Sequence, residues 1–322
     1  MNTLDTQTDY LQEFDEDVKA SSTIPYLQVQ NPPNLTLAQI QQYKPPYGWF
    51  VPDEQAKLVE FTANDWFTPT RLTFGEDTSQ PKQVDGWLTQ HIRVSVLHKS
   101  AGIEVQEKTN RGWHYAGQAY NKGQLSKYGQ LAESDKENYR FRTRYLLVFL
   151  DQNNEPLHRI PLQLSMGRGT GGTFDAEVRQ FRGEIERVFF KMRGEPTKTL
   201  SDRAHALTVL DLELGIHKGE GKAPFIVPVK RLSPSVDGIG NEAVVERRDR
   251  KVKLLGEPLS SLLISKSSET GQFLVGLWQE YQDFPTRYSS GQVEQEETPV
   301  TNHTAEASRE SPFEPDWGED DF

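Results

Sequence analysis

The sequence predicts a mainly β protein with one or a few helices, and three observations carry that prediction. "LTQHIRVSVLHK" (88–99) places Ile92, Val94 and Val96 at a period of two, the mark of a half-buried strand. "NYRFRTRYLLVFLD" (138–151) is the strongest strand signal in the chain. Helical spacing is clearest in "TFDAEVRQFRGEIERVFFKM", where Phe174, Val178, Phe181, Ile185, Val188 and Phe189 recur every three or four residues behind Thr173, a suitable N-cap.

In chain order, residues 1–22 are polar, with six acids before Lys19, and are expected to be a disordered arm. Residues 23–88 are expected to form an N-terminal extension that packs on the core. Ile24 to Val29 suits a short strand stopped by Pro32 and Pro33. A short helical stretch, a turn at "KPPYG", an edge strand at "WFVP" and a loop over "NDWFTPTRLTFGEDTSQPKQ" follow. Residues 89–232 read as the core. It starts with the strand at Ile92–Val96 and an arm at "RGWHYAGQAY" (111–120). The strong strand then turns at Asn153 and Asn154 into "LHRIPLQLSM", and the helix and two further strands, "HALTVLDLELGIHK" and "APFIVPVKRL", complete it. A single amphipathic helix between the third and fourth strands of a small all-β module is the wiring of an OB-fold barrel, which binds oligonucleotides on one face. About six strands are found rather than five, so another β-barrel, or a sandwich with one helix, stays open. Residues 233–284 hold the basic "AVVERRDRKVKLL", of ambiguous type, and an apolar helical stretch that Gly271 should break in two. From 285 to 322 the chain is polar and acidic, a predicted disordered tail.

Composition agrees with a partly unfolded chain. Of 322 residues 35% are hydrophobic, against about 45–50% (glycine included) in ordinary globular domains. There is no cysteine, which excludes disulfides, thiolate metal sites and cysteine nucleophiles and fits a reducing cytosol. No apolar run is long enough to span a bilayer, and the acidic N-terminus lacks the features of a signal peptide. A cytoplasmic location is expected. The net charge of −11 hides a segregation: residues 1–90 carry −8, residues 91–253 carry +8, residues 254–288 carry −2 and residues 289–322 carry −9. A basic middle between acidic ends says more about partners than the average does.

The basic middle interleaves cations with rings. In "YRFRTRY", Tyr139, Phe141, Thr143 and Tyr145 share one face of a strand, and Arg140, Arg142 and Arg144 share the other. The aromatic face is either core or a stacking surface; the arginines are either solvated or lie along a path for phosphates. Arg93, Arg111, Trp113, Tyr115, Tyr120, Lys122, Lys127 and Arg168 extend the same chemistry and are the other candidate nucleic-acid contacts. "GRGTGG" formally satisfies G-x-G-x-x-G, but no βαβ context surrounds it; with Arg168 it is better suited to hold one backbone phosphate at a helix N-terminus. "RRDRKVK" (247–253) reads equally well as a phosphate-binding arm or a charged loop. Asp211 and Glu213 share a strand face and could hold a divalent cation, or be a solvated pair. No histidine pair, nucleophile elbow or phosphate loop points to an enzyme, and no cofactor is expected.

The chain ends in "PDWGEDDF" (315–322), an acidic run closed by an aromatic ring. This tip resembles the C-termini of single-stranded DNA-binding proteins of the bacterial and T7-like phage types, which join an OB-fold to an acidic, phenylalanine-ended tail. Asp316, Glu319, Asp320 and Asp321 match the acidic run, Phe322 the terminal ring, and Trp317 the aromatic among the acids. The chain lacks the bacterial Ile-Pro before the last ring, so the phage form is nearer. The resemblance implies a protein without chemistry of its own, which protects single strands and recruits replication, repair or recombination partners through that tip. The alternatives are an adaptor whose acidic ends bind a basic partner and a metal-dependent nuclease using Asp211 and Glu213.

Overall fold

The computed structural model describes residues 24–74, 81–110, 112–219, 223–236, 240–247 and 250–287. The expected arm (1–22), Arg111 and the tip residues Asp316, Trp317, Glu319, Asp320, Asp321 and Phe322 lie outside them.

The first strands are β1 (Tyr26–Gln30), β2 (Gly48–Pro52), β3 (Thr68–Phe74), β4 (Lys82–Thr89), β5 (His91–Lys99), β6 (Glu104–Thr109) and β7 (Gly112–Gln118). Helices α1 (Leu37–Tyr43) and α2 (Asp53–Leu58) flank β2. A two-residue hairpin, β8 (Tyr120–Asn121) with β9 (Gln124–Leu125), leads into α3 (Lys127–Ser134). Then come β10 (Tyr139–Phe149), β11 (Leu162–Met166), the 26-residue α4 (Arg168–Arg193) and α5 (Asp202–His205). The chain continues through β12 (Leu210–His217), β13 (Phe225–Ser235), β14 (Glu242–Arg247) and β15 (Arg250–Pro258) to α6 (Glu269–Glu280) and α7 (Phe284–Arg287).

The fold is mainly β. Eleven strands form one curled half-barrel sheet in the order β14-β15-β13-β12-β5-β10-β11-β1-β2-β4-β3. Its centre is covered on both sides. Tyr145, Leu147 and Phe149 of β10 pack with Phe174, Val178, Phe181 and Ile185 of α4. On the opposite face, Leu146, Val148 and Leu150 pack with Leu274 and Leu277 of α6 and with Phe284. Two covered faces explain why "YLLVFL" is an unbroken apolar run rather than an alternating one. Salt bridges fix α4 over β13: fully buried Arg231 donates to both oxygens of Glu184, at 2.9 and 2.8 Å, and reaches Glu177 at 3.3 Å, which Arg250 also meets at 3.2 Å.

A small lobe branches from this sheet. The first four residues of β10 pair with β6, and β6 pairs with β7. Val105, Ala119, Ala132 and Phe141 form its own core under α3.

Several elements differ from the sequence prediction. Residues 89–232 are not a self-contained unit; their strands occupy the middle of the sheet, extended by β14 and β15 at one end and by β1, β2, β4 and β3 at the other. "WFVP" is an interior strand, paired on both edges and buried throughout. The expected loop at 64–83 contains β3, which pairs with β4 through seven registered residues that include Arg71 bound to Asp85. "GRGTGG" is no loop, since α4 starts at Arg168 with Gly167 as N-cap. The cost of glycine in a helix, about 1 kcal/mol each, is offset by close packing: a Cβ at Gly171 would stand 3.2 Å from Met166 Cβ. Of the basic segment, residues 243–247 lie in β14 and 250–255 in β15, an antiparallel pair. Gly271 does not break the apolar helix; its amide is capped by Ser268 in the first turn of α6. The fold also runs on to Arg287, past the expected boundary at 284, with Phe284 fully buried.

Candidate functional site

The lobe gives "YRFRTRY" two unlike faces. Register pairs Arg140 with Gln106 and Tyr115, Arg142 with Glu104 and Gln118, and Lys108 with Trp113. Paired residues of antiparallel strands project to the same side, so three cations, two rings and three polar chains share one face. The opposite face carries Phe141, buried in the lobe core, and Tyr139, whose hydroxyl donates to Glu107 at 2.8 Å. Of the two readings open in the sequence, the aromatic face is therefore core. The arginine face is not a solvated row either: Arg140 is 9% and Arg144 4% exposed, and Arg142 is half-buried.

Each guanidinium is held differently. Arg140 Nε donates to Gln106 Oε1 at 2.9 Å, and its guanidinium lies 4.1 Å from the centre of the Trp113 ring. This cation–π contact combines charge and stacking surface in one unit. Arg144 Nε donates to Glu104 Oε2 at 2.9 Å, and both side chains are buried. Arg142 bonds no carboxylate among the described residues. It points toward the start of α4, where its Nη1 lies 3.1 Å from the place a Cβ on Gly167 would take. That helix end has no capping side chain and no acid in its first turn, so its amides present positive charge to the same space.

Burial and neighbouring cations both act on the row. Burial, then Arg142 and Arg144, push Arg140 down to about 8; burial, then Arg144, push Arg142 down to about 10. A guanidinium stays protonated at neutral pH, so both burial and crowding act on charged groups.

Other sequence candidates fall elsewhere. Arg93 is buried in a separate cluster, with Nη1 2.6 Å from Asp211 Oδ2, Nη2 2.6 Å from Asn154 Oδ1 and Nε on the Asp151 carbonyl. It belongs to the scaffold, because its donors are directed to protein partners. Lys122, at φ 49° in the tight β8–β9 turn, and Lys127, 5.9 Å from the Tyr128 ring on α3, are on other elements of the lobe. Tyr120 packs against the lobe core. Arg168 is the first residue of α4. Asp211 accepts from His91 at 2.8 Å as well as from Arg93, and Glu213 accepts from Lys230 at 2.6 Å. No group of three or more potential metal-binding His, Asp or Glu side chains occurs among the described residues.

Sequence reasoning missed Glu104 and Gln106 because it missed β6. The signal was present in "IEVQEKT", where Ile103 and Val105 alternate with Glu104 and Gln106. No described helix is long and apolar enough to cross a membrane. Neither a curated protein nor a solved structure matches the chain. A family described as Domain of unknown function (DUF5895) matches residues 21–237, which include the lobe, the arginine row and all of α4, and the chain belongs to that family.

Proposed function

We propose that this protein binds single-stranded nucleic acid, without strong sequence preference, on the arginine face of the lobe. One observation carries the reading: Arg140 and Arg142 of β10 share a face of the lobe sheet with Trp113 and Tyr115 of β7, cations beside rings. Arg142 and the α4 N-terminus supply charge for a phosphate. Trp113, backed by Arg140, and half-buried Tyr115 supply stacking surface, worth about 1–3 kcal/mol per base. The acidic tip, Asp316 to Phe322, is the docking peptide for replication or repair proteins in this proposal, with the terminal ring as its anchor.

Titration with oligo-dT and with a duplex of equal length tests the reading. Tryptophan emission should fall with oligo-dT and not with the duplex, and the quench should vanish in Trp113→Phe. Arg142→Glu should weaken binding more than tenfold. Equal binding by Arg142→Glu and the parent protein would remove the arginine row from the site.

A further inference from the structure

The arginine row is short at both ends, and its length limits how much strand it can hold. Arg144 cannot take a phosphate as the row stands. Its guanidinium is bound to Glu104, the pair is buried, and the carboxylate would repel a second anion. Past Arg144 no open face remains, because from Tyr145 to Phe149 β10 is buried between the α4 and α6 cores. At the other end Arg140 is occupied by Gln106 and by the Trp113 ring. Arg142 is therefore the member best placed to meet a phosphate directly, with Arg140 one strand repeat away, about 7 Å along β10. The rings, Trp113 and Tyr115, lie on β7, across β6 from the arginines and two residues apart.

We infer that the site grips one or two phosphates and their adjoining bases, a stretch of about two to three nucleotides, rather than a long tract. This inference rests on the proposed function and fixes its footprint. Affinity should then stop growing once an oligonucleotide spans the site, apart from the number of positions a longer strand offers. Few counterions should be released, with a slope of log K against log [salt] of about −0.7 per phosphate contacted on a single strand.

The test is a fluorescence anisotropy series on the full chain with 5′-labelled dT2, dT4, dT8 and dT16, each at several salt concentrations. Affinity per binding position is expected to level off by dT4, with a slope no steeper than about −1.5, and Arg142→Gln should flatten that slope by about 0.7. A slope steeper than about −3, or affinity per binding position still rising tenfold between dT4 and dT16, overturns the short footprint while leaving single-strand binding intact. A slope unchanged in Arg142→Gln overturns the assignment of the phosphate to that residue. Failure of every oligonucleotide to bind, even at low salt, overturns the proposed function and the footprint with it.

Discussion

Strand β10 passes through two unlike environments, and the contrast between them is instructive. Its second half, Tyr145–Phe149, is sealed between two helical layers and is apolar on both faces. Its first half, Tyr139–Arg142, belongs to a three-stranded lobe with one small core, and its other face carries buried guanidinium groups. The protein spends apolar area freely in the first setting and tolerates charge crowding in the second. A crowded cationic face is poor design for stability alone, since buried like charges cost free energy.

The largest test of this contrast lies in the scaffold. Glu177 meets both Arg231 and Arg250, so Glu177→Ala should remove the buried carboxylate they share and cost about 3–5 kcal/mol in denaturant unfolding. A loss below about 1 kcal/mol would mean that the network does not hold α4 down. Next is pH. His158 is buried beside β10, with Nε2 accepting from the Phe149 amide and Nδ1 donating to the Ile160 carbonyl. Burial lowers its pKa to about 4, and burial also lowers those of His98 and His205. The folded pKa lies below the unfolded one, so the unfolded chain binds more protons between pH 6.5 and 4. Stability is full above that window and falls as pH drops through it, for His158 by about 2–3 kcal/mol at about 1.4 kcal/mol per pH unit. Urea melts at pH 7 and 4.5 measure the drop, and a flat profile contradicts a neutral, buried His158.

A smaller and more local effect is expected in the lobe. Phe149→Ala should lower global stability by about 3–5 kcal/mol, whereas Phe141→Ala should chiefly speed amide exchange in β6, β7 and α3. Equal global losses would erase the distinction between the two halves of β10. Smallest of all, Arg142→Gln should change stability by under about 1 kcal/mol, or raise it, because it removes a crowded cation. A large loss in melting experiments would make Arg142 a structural residue.

Much of the sheet was legible because period-two alternation is a local signal. Ile92, Val94 and Val96 announce β5, and the apolar residues from Phe174 to Phe189 announce the body of α4. β3 was not legible, because "TPTRLTF" has a proline and few apolar residues and is held by pairing with β4. The helical start of α4 was not legible either, since Arg168–Gly172 holds three glycines in five residues and packs closely on Met166 and Phe225. At the site, alternation correctly divided rings from arginines on "YRFRTRY". It could not say what stands opposite each face, so the Glu104 partner of Arg144, the Trp113 ring over Arg140 and the approach of Arg142 to Gly167 emerge only in three dimensions.

Strand β10 runs from Tyr139 to Phe149, pairing first with β6 in the lobe and then with β11 and β5 in the main sheet. Any molecule that grips Arg142 adds its binding free energy to the folded form only. Heating curves would then report occupancy directly: the temperature at which the whole sheet melts should climb with ligand concentration, and it could be used to screen for ligands before any is known.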